Sequence, residues 1–153
     1  MCMACRVKRG TAAAAAYEMG IVLLGVEKYT RPYLDPRLDL KEFPTAISFA
    51  SATSGYDPYT ANKTNALQLF KQIDIFKEYK LRLENAIGKK KADSQIEQAI
   101  FYVNAGSDDF AFTYFHDGIG QPNKNPRDYE QFLLLFIRRF FKVWILQPFN
   151  SNA

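Results

Sequence analysis

The chain carries AISFASATSGYDP at residues 46–58, where an apolar run gives way to small, turn-forming residues. The run over 46–50 has the length and composition of a buried β-strand. Ser, Gly, Asp and Pro in the residues that follow predict a loop at 51–58. The end of this strand is therefore the first place to look for a functional site, because loops that leave strands commonly bind ligands.

A long amphipathic helix is predicted downstream of this loop. Leu69 and Ile73 begin a series of apolar residues at spacings near three and four, with charged residues between them, and Gly88 follows as a stop signal. The pattern predicts a helix over residues 66–87.

A second strand is predicted at 99–103, where AIFYV forms an almost continuous apolar run. A basic turn at 89–91 and a short helix through residue 98 precede it. The order strand, helix, strand predicts an α/β fold with a parallel sheet, in which the loops 51–55 and 104–109 leave the carboxyl ends of strands.

The flanking regions give weaker patterns. Residues 12–24 are rich in alanine and favour a helix, although 20–26 also fits a short buried strand. Prolines between residues 32 and 44 predict an irregular segment. Ser107 is expected to cap a helix through Phe115, and Pro126 to open a last helix that ends near residue 146.

Composition excludes several classes of protein. The chain has 153 residues, enough for one domain, with a formal net charge of +4 and 48% apolar residues, so most of it is expected to fold. The only cysteines, Cys2 and Cys5, rule out a disulfide scaffold and form at most half a zinc site, so neither a metal nor a cofactor is predicted. Apolar runs are too short for a transmembrane segment, and no secretory signal is favoured.

The two loops resemble a known family. Residues 47–58 are similar to the second block of the plant GDSL esterase/lipases, FASAGSGYDP, and residues 105–110, AGSDDF, are similar to their third block, AGTNDF. YLDP at 33–36, residues 72–79 and DYEQF at 128–132 add to the resemblance.

The resemblance divides the chain into three parts. Residues 24–135 correspond to the central portion of a GDSL domain, between a divergent segment at 1–23 and a divergent helix and tail at 136–153. The family is usually secreted, and the resemblance implies a serine hydrolase of the SGNH type that cleaves carboxylic esters of lipids or small acyl substrates. Its fold is a three-layer, flavodoxin-like sandwich, of which this chain is expected to hold only part, with an incomplete parallel sheet.

The departures from the family concern its chemistry. The chain contains neither the GDS motif of the nucleophile nor the DxxH motif of the base, so no catalytic residue is predicted and the chain is expected to be truncated. Thr53 replaces the glycine of the second block, and Asp108 replaces the asparagine of the third; both are oxyanion-hole positions by resemblance. An ionised carboxylate accepts hydrogen bonds and donates none, so Asp108 would repel a developing oxyanion.

The other candidate residues have simpler interpretations. Asp108 and Asp109 fit first-turn acids that face a helix dipole, and His116 fits a helix-end histidine. Ser51 and Ser54 lie in the relevant loop without an identifiable base.

Three further features lie in regions expected at the surface or near the C-terminus. The lysines at 89–91 predict a solvated turn, with no nucleic-acid partner. The apolar C-terminal helix fits a core helix, a membrane-surface helix or a contact with a second copy or an intact relative. Asn62-Lys63-Thr64 fits the glycosylation pattern.

These observations favour a GDSL relative without ester hydrolysis of its own. A binding or decoy module is the alternative, and a basic surface for anionic lipid or nucleic acid ranks last.

Overall fold

The computed structural model describes residues 14–15, 21–22, 31–39, 47–116 and 125–145. The chain divides into two compact units. In the described residues, the site unit comprises 51–74, 104–116 and 125–145, and the aromatic unit comprises the remainder. Helices and a small parallel sheet make this a mixed α/β protein.

The aromatic unit holds four short strands. β1 (Ala14–Ala15) pairs antiparallel with β2 (Ile21–Val22), and β3 (Arg31–Pro32) pairs in parallel with β4 (Ile47–Ser48). The helix predicted over 12–24 is wrong at these positions of β1 and β2, and its other residues lie outside the described part. A helix-favouring alanine content was outweighed by strand pairing.

The parallel sheet differs from the one expected. β4 confirms the strand predicted at 46–50, but it pairs with β3, which lies in the segment predicted to be irregular. The predicted strand at 99–103 is wrong, since only Ile100 forms an isolated bridge and the next five residues have no regular structure. An apolar run predicts burial, whereas a strand also needs a partner with matching backbone groups.

The helices follow the sequence pattern closely. They are α1 (Pro58–Lys63), α2 (Leu69–Ile87), α3 (Lys89–Glu97), a π-helix (Asp109–Tyr114) and α4 (Pro126–Ile145). The helices predicted downstream of the loop and from Pro126 are confirmed as α2 and α4. Gly88 has a φ of 84°, which suits glycine and separates α2 from α3.

Two further expectations need correction. The lysines at 89–91 are exposed as predicted, but they form the first turn of α3 and not a turn between elements. Ser107 does not cap the following helix, because residues 107–108 are already helical. Within the described ranges, no helix is long and apolar enough to cross a membrane.

The aromatic unit is built on a cluster of rings. Phe49, directly after β4, lies between Tyr33 and two residues of α2, Phe76 and Tyr79, with ring centroids 5.4–5.6 Å apart. The Tyr33 hydroxyl donates to Glu78 at 2.8 Å and accepts from Arg82 at 3.0 Å. Edge-to-face packing of this kind fixes the end of β4 against α2.

The site unit has its own core around α4. Phe140 is fully buried and packs against Tyr56, Phe70 and Trp144. One turn into the same helix, Tyr129 stacks on Tyr114 of the π-helix with centroids 5.4 Å apart. These contacts hold α4 beside the residues of both motif blocks.

Candidate functional site

The loop at 51–57 and the π-helix are joined by one buried carboxylate. Asp109 has no exposed surface. Its Oδ2 accepts the backbone N–H of Tyr56 at 2.8 Å, and its Oδ1 accepts the N–H of Asp57 at 3.0 Å and the hydroxyl of Thr60 at 2.8 Å. Because Thr60 gives its only proton to this carboxylate, Thr113 donates to Thr60 across their 2.7 Å contact.

Gly55 makes this approach sterically feasible. A Cβ atom at Gly55 would lie 1.9 Å from Oδ1 and 2.3 Å from Cγ of Asp109, which is far inside van der Waals contact. Only glycine therefore fits between the loop and the carboxylate. Gly55 lies in the segment resembling the second block and Asp109 in that resembling the third. The Asp109 carboxylate can approach the loop only because residue 55 has no side chain.

The polar groups around Asp109 extend to α1 and α4. Asp57 caps α1 by accepting the N–H of Tyr59 at 2.9 Å, and the Tyr129 hydroxyl donates to its other oxygen at 3.3 Å. Burial raises the pKa of Asp109, while the donors from Thr60, Tyr56 and Asp57 oppose that rise. Burial, followed by the nearby carboxylates, raises the pKa of Tyr129 and keeps it a donor at neutral pH.

Thr53 occupies a strained backbone position. Its φ is +60°, in the left-handed region where a β-branched residue is rare. Its hydroxyl donates to the carbonyl of Ala52 at 2.6 Å. Its own carbonyl lies 3.1 Å from the Thr64 hydroxyl oxygen, which is also 3.0 Å from the Thr60 carbonyl. The backbone here therefore has the conformation for which glycine is suited.

Asp108 lies at the start of the π-helix and differs sharply from its neighbour Asp109. It is half-buried, and its side chain makes no capping hydrogen bond. Asp109 lies in the first turn of the π-helix, as expected, but its carboxylate accepts hydrogen bonds from the backbone N–H groups of Tyr56 and Asp57 in the loop.

The two loop serines have structural partners. Ser54 is fully buried; its hydroxyl donates to the carbonyl of Ser51 at 2.9 Å and accepts from the Gln72 amide at 3.1 Å. The Ser51 hydroxyl accepts the backbone N–H of Leu67 at 2.9 Å. Both hydroxyls hold the loop against the chain that leads into α2.

His116 contacts a lysine. Its Nδ1 lies 3.2 Å from the ammonium group of Lys63, which also donates to the Phe112 carbonyl at 2.9 Å. Since an ammonium group only donates, Nδ1 accepts this hydrogen bond, and the ring proton is placed on Nε2. His116 is exposed at the end of the helical segment, as expected for a helix-end residue.

An apolar cavity of about 370 Å³ opens within the site unit. It lies beside the third motif block, and α4 forms its opposite wall. Its lining residues are Tyr56, Ala105, Gly106, Ser107, Phe110, Glu130, Leu133, Leu134 and Ile137. The cavity has the apolar character of sites that accept aliphatic groups.

Metal binding finds no support in the described part of the chain. No cluster of three or more His, Cys, Asp or Glu side chains is suitable for an ion there. Cys2 and Cys5 lie outside the described residues.

Sequence reasoning missed the role of Asp109. Adjacent acids after a glycine look alike in sequence, and helix-dipole stabilisation explains both equally well. The only signal in the sequence was that Gly55 occurs in the segment resembling the second block and Asp109 in the segment resembling the third block. Tyr129 was also missed, because its hydroxyl partner lies 72 residues away along the chain.

Replacing Asp109 by asparagine is expected to destabilise the protein by about 1–3 kcal/mol. The NH2 group of the asparagine would face N–H or hydroxyl groups that now donate to the carboxylate, and these buried donors would lose their acceptor. Urea denaturation measures the free energy of unfolding. Asp108→Asn, on the adjacent residue, is the matched control and should change it by under about 0.5 kcal/mol. Equal stabilities of the two variants would contradict the assigned role of Asp109.

Thr53→Gly is expected to stabilise the protein by up to about 1 kcal/mol, because glycine relieves the left-handed strain but loses more backbone entropy on folding. Asn65→Gly is the control, since Asn65 also has a positive φ, 53°, but asparagine tolerates it better. Thermal unfolding of both variants should show the larger gain at Thr53. A loss of stability in Thr53→Gly would contradict this account of the loop.

Several known proteins similar to this chain are GDSL esterase/lipases. A GDSL esterase/lipase of Arabidopsis thaliana is 40% identical over 122 residues, which is 79% of this chain and 32% of that relative. The Arabidopsis GDSL esterase/lipase APG is 45% identical over 92 residues, 60% of this chain and 26% of the relative. A third Arabidopsis GDSL esterase/lipase is 32% identical over 119 residues, 78% of this chain and 34% of the relative.

The chain spans between a quarter and a third of the length of these curated relatives. No protein-family model and no solved structure matches it. By these similarities the chain belongs to the plant GDSL esterase/lipase family.

Proposed function

We propose that this chain carries part of an SGNH hydrolase scaffold and does not hydrolyse esters with its own residues. Its family relatives are named esterases or lipases, so carboxylic esters of lipids or small acyl groups are the relevant substrate class. Residues 24–135 are the GDSL-like portion in this proposal, and a three-layer sandwich is the fold to which they contribute. The segments 1–23 and 136–153 diverge from it.

The observation that carries the proposal is a carboxylate, that of Asp108, at the position where the family has an amide by resemblance, next to Asp109, which still binds the loop. Ester hydrolysis develops negative charge on the substrate oxygen, and each donor aimed at that charge is worth about 3 kcal/mol in comparable enzymes. A carboxylate supplies no such donor and repels the charge. Thr53 retains a backbone N–H at the other oxyanion position but adds a branched side chain.

The hydroxyl groups of the loop give further support. A nucleophilic serine needs an exposed hydroxyl and a base within hydrogen-bond reach. Ser54 is fully buried and bonded to Ser51 and Gln72, and the Nδ1 of His116 accepts from Lys63. The 153 residues contain neither GDS nor DxxH, which would supply these groups by resemblance.

A fluorophosphonate probe tests the proposal directly, because it labels only activated serine hydroxyls. We expect the purified chain to remain unlabelled and to release no p-nitrophenol from p-nitrophenyl butyrate above the rate of buffer. An intact Arabidopsis GDSL esterase/lipase serves as the positive control.

The variant Asp108→Asn separates the missing donor from the missing nucleophile. It restores the family's amide, yet it should remain inactive because no activated serine is added. Labelling of any serine in the wild-type chain, with turnover blocked by the probe, would overturn the proposal.

A binding or decoy module is the second candidate function, favoured by two features of α4. Its inner face lines the apolar cavity of about 370 Å³, and its outer face exposes Leu135 at 63% and Ile145 at 66%. Exposed apolar side chains on one helix are typical of surfaces that associate. In this candidate function, α4 pairs with an intact relative or a second copy and withholds substrate from hydrolysis.

Size-exclusion chromatography with an intact Arabidopsis GDSL esterase/lipase checks this candidate. Co-elution and reduced ester turnover are expected, and both should be lost in Leu135→Glu. Leu81→Glu is the matched control, because Leu81 on α2 is 61% exposed and is not part of α4. A monomer that elutes alone and leaves turnover unchanged would eliminate the decoy function.

A further inference from the structure

Asn62-Lys63-Thr64 is the only Asn-x-Ser/Thr triplet in the 153 residues. Such triplets are acceptors for N-linked oligosaccharides when the middle residue is not proline. Such triplets also arise by chance. A glycan can be accommodated only where the asparagine is exposed in the fold.

Asn62 is exposed on the short helix α1. The residues before it, Thr60 and Ala61, face inward with 0% and 1% exposure, whereas Asn62 and Lys63 face solvent. A sugar on Asn62 would therefore project away from Thr60 and the buried Asp109 carboxylate.

The side chain of Asn62 is also oriented suitably. Its Oδ1 accepts the Gln68 amide at 2.7 Å. N-glycosylation substitutes the amide nitrogen and leaves this oxygen unchanged, so the same hydrogen bond remains available to a glycosylated side chain.

Thr64 has a structural role as well. Its hydroxyl oxygen lies 3.1 Å from the Thr53 carbonyl and 3.0 Å from the Thr60 carbonyl, and so it ties the end of α1 to the loop. This role accounts for a hydroxyl at position 64. The exposed asparagine at position 62 has no comparable packing role.

We propose that Asn62 is an N-glycosylation site. The donor is a lipid-linked oligosaccharide, whose anomeric carbon bonds to the amide nitrogen of Asn62. The bond from that carbon to the lipid pyrophosphate breaks, the pyrophosphate leaves with the electron pair, and the amide proton is released.

The test is cell-free translation of the full chain, preceded by a cleavable secretion leader, with endoplasmic-reticulum microsomes. Only chains protected from added protease are scored, since these have entered the lumen. The protected wild-type chain is expected to gain one step of mass that endoglycosidase H removes. Protected wild-type chain without this gain overturns the proposal.

Matched variants separate glycosylation from folding. Asn62→Gln should abolish the mass gain, and Asn65→Gln, three residues away and outside the triplet, should retain it. Thr64→Ser keeps the hydroxyl and should retain the gain, whereas Thr64→Ala should lose it. A gain that persists in Asn62→Gln would assign the glycan to another residue and refute the site.

Discussion

The buried carboxylate of Asp109 is the interaction on which the site unit depends. It satisfies two backbone N–H groups of a loop that has no sheet ladder to satisfy them, and it anchors the first helix through Thr60. An ionisable group without surface exposure is costly unless its hydrogen bonds are made, so the loop and the π-helix stabilise each other or neither is stable. Gly55 belongs to the same constraint, because any larger residue would separate them.

The motif residues of this chain fall into two groups: those that match the family motifs and those that depart from them. Gly55, Asp57 and Asp109 resemble the family and serve the packing of loop against helix. Thr53 and Asp108 depart from it, and neither takes part in the hydrogen bonds to the buried carboxylate. The two departures therefore leave the hydrogen bonds between the loop and the π-helix intact. Thr53 even retains the left-handed backbone for which glycine is suited, at some cost in strain.

The helices were predictable from sequence because their determinants are local. The spacing of Leu69, Ile73 and Phe76 fixes the buried face of α2, and Pro126 marks the first residue of α4. Strand pairing depends on distant backbone, and so the pairing of Arg31 with Ile47 could not be read from either segment. The run at 99–103 shows the same limit: the Phe101 ring lies 5.6 Å from that of Phe76, but Ile100 is exposed and residues 101–103 form no ladder.

The candidate site was predictable only as far as the resemblance named its positions. Sequence placed Thr53 and Asp108 in the two blocks, but it treated Asp108 and Asp109 as equivalent acids. Burial and hydrogen bonding distinguish them, because the half-buried Asp108 side chain makes no capping hydrogen bond, whereas the fully buried Asp109 accepts hydrogen bonds from three donors. Of the two adjacent acids, only Asp109 holds the loop, so a change at Asp108 leaves the buried hydrogen bonds intact. This separation explains how the loop keeps its shape although Thr53 and Asp108 depart from the motif that the loop resembles.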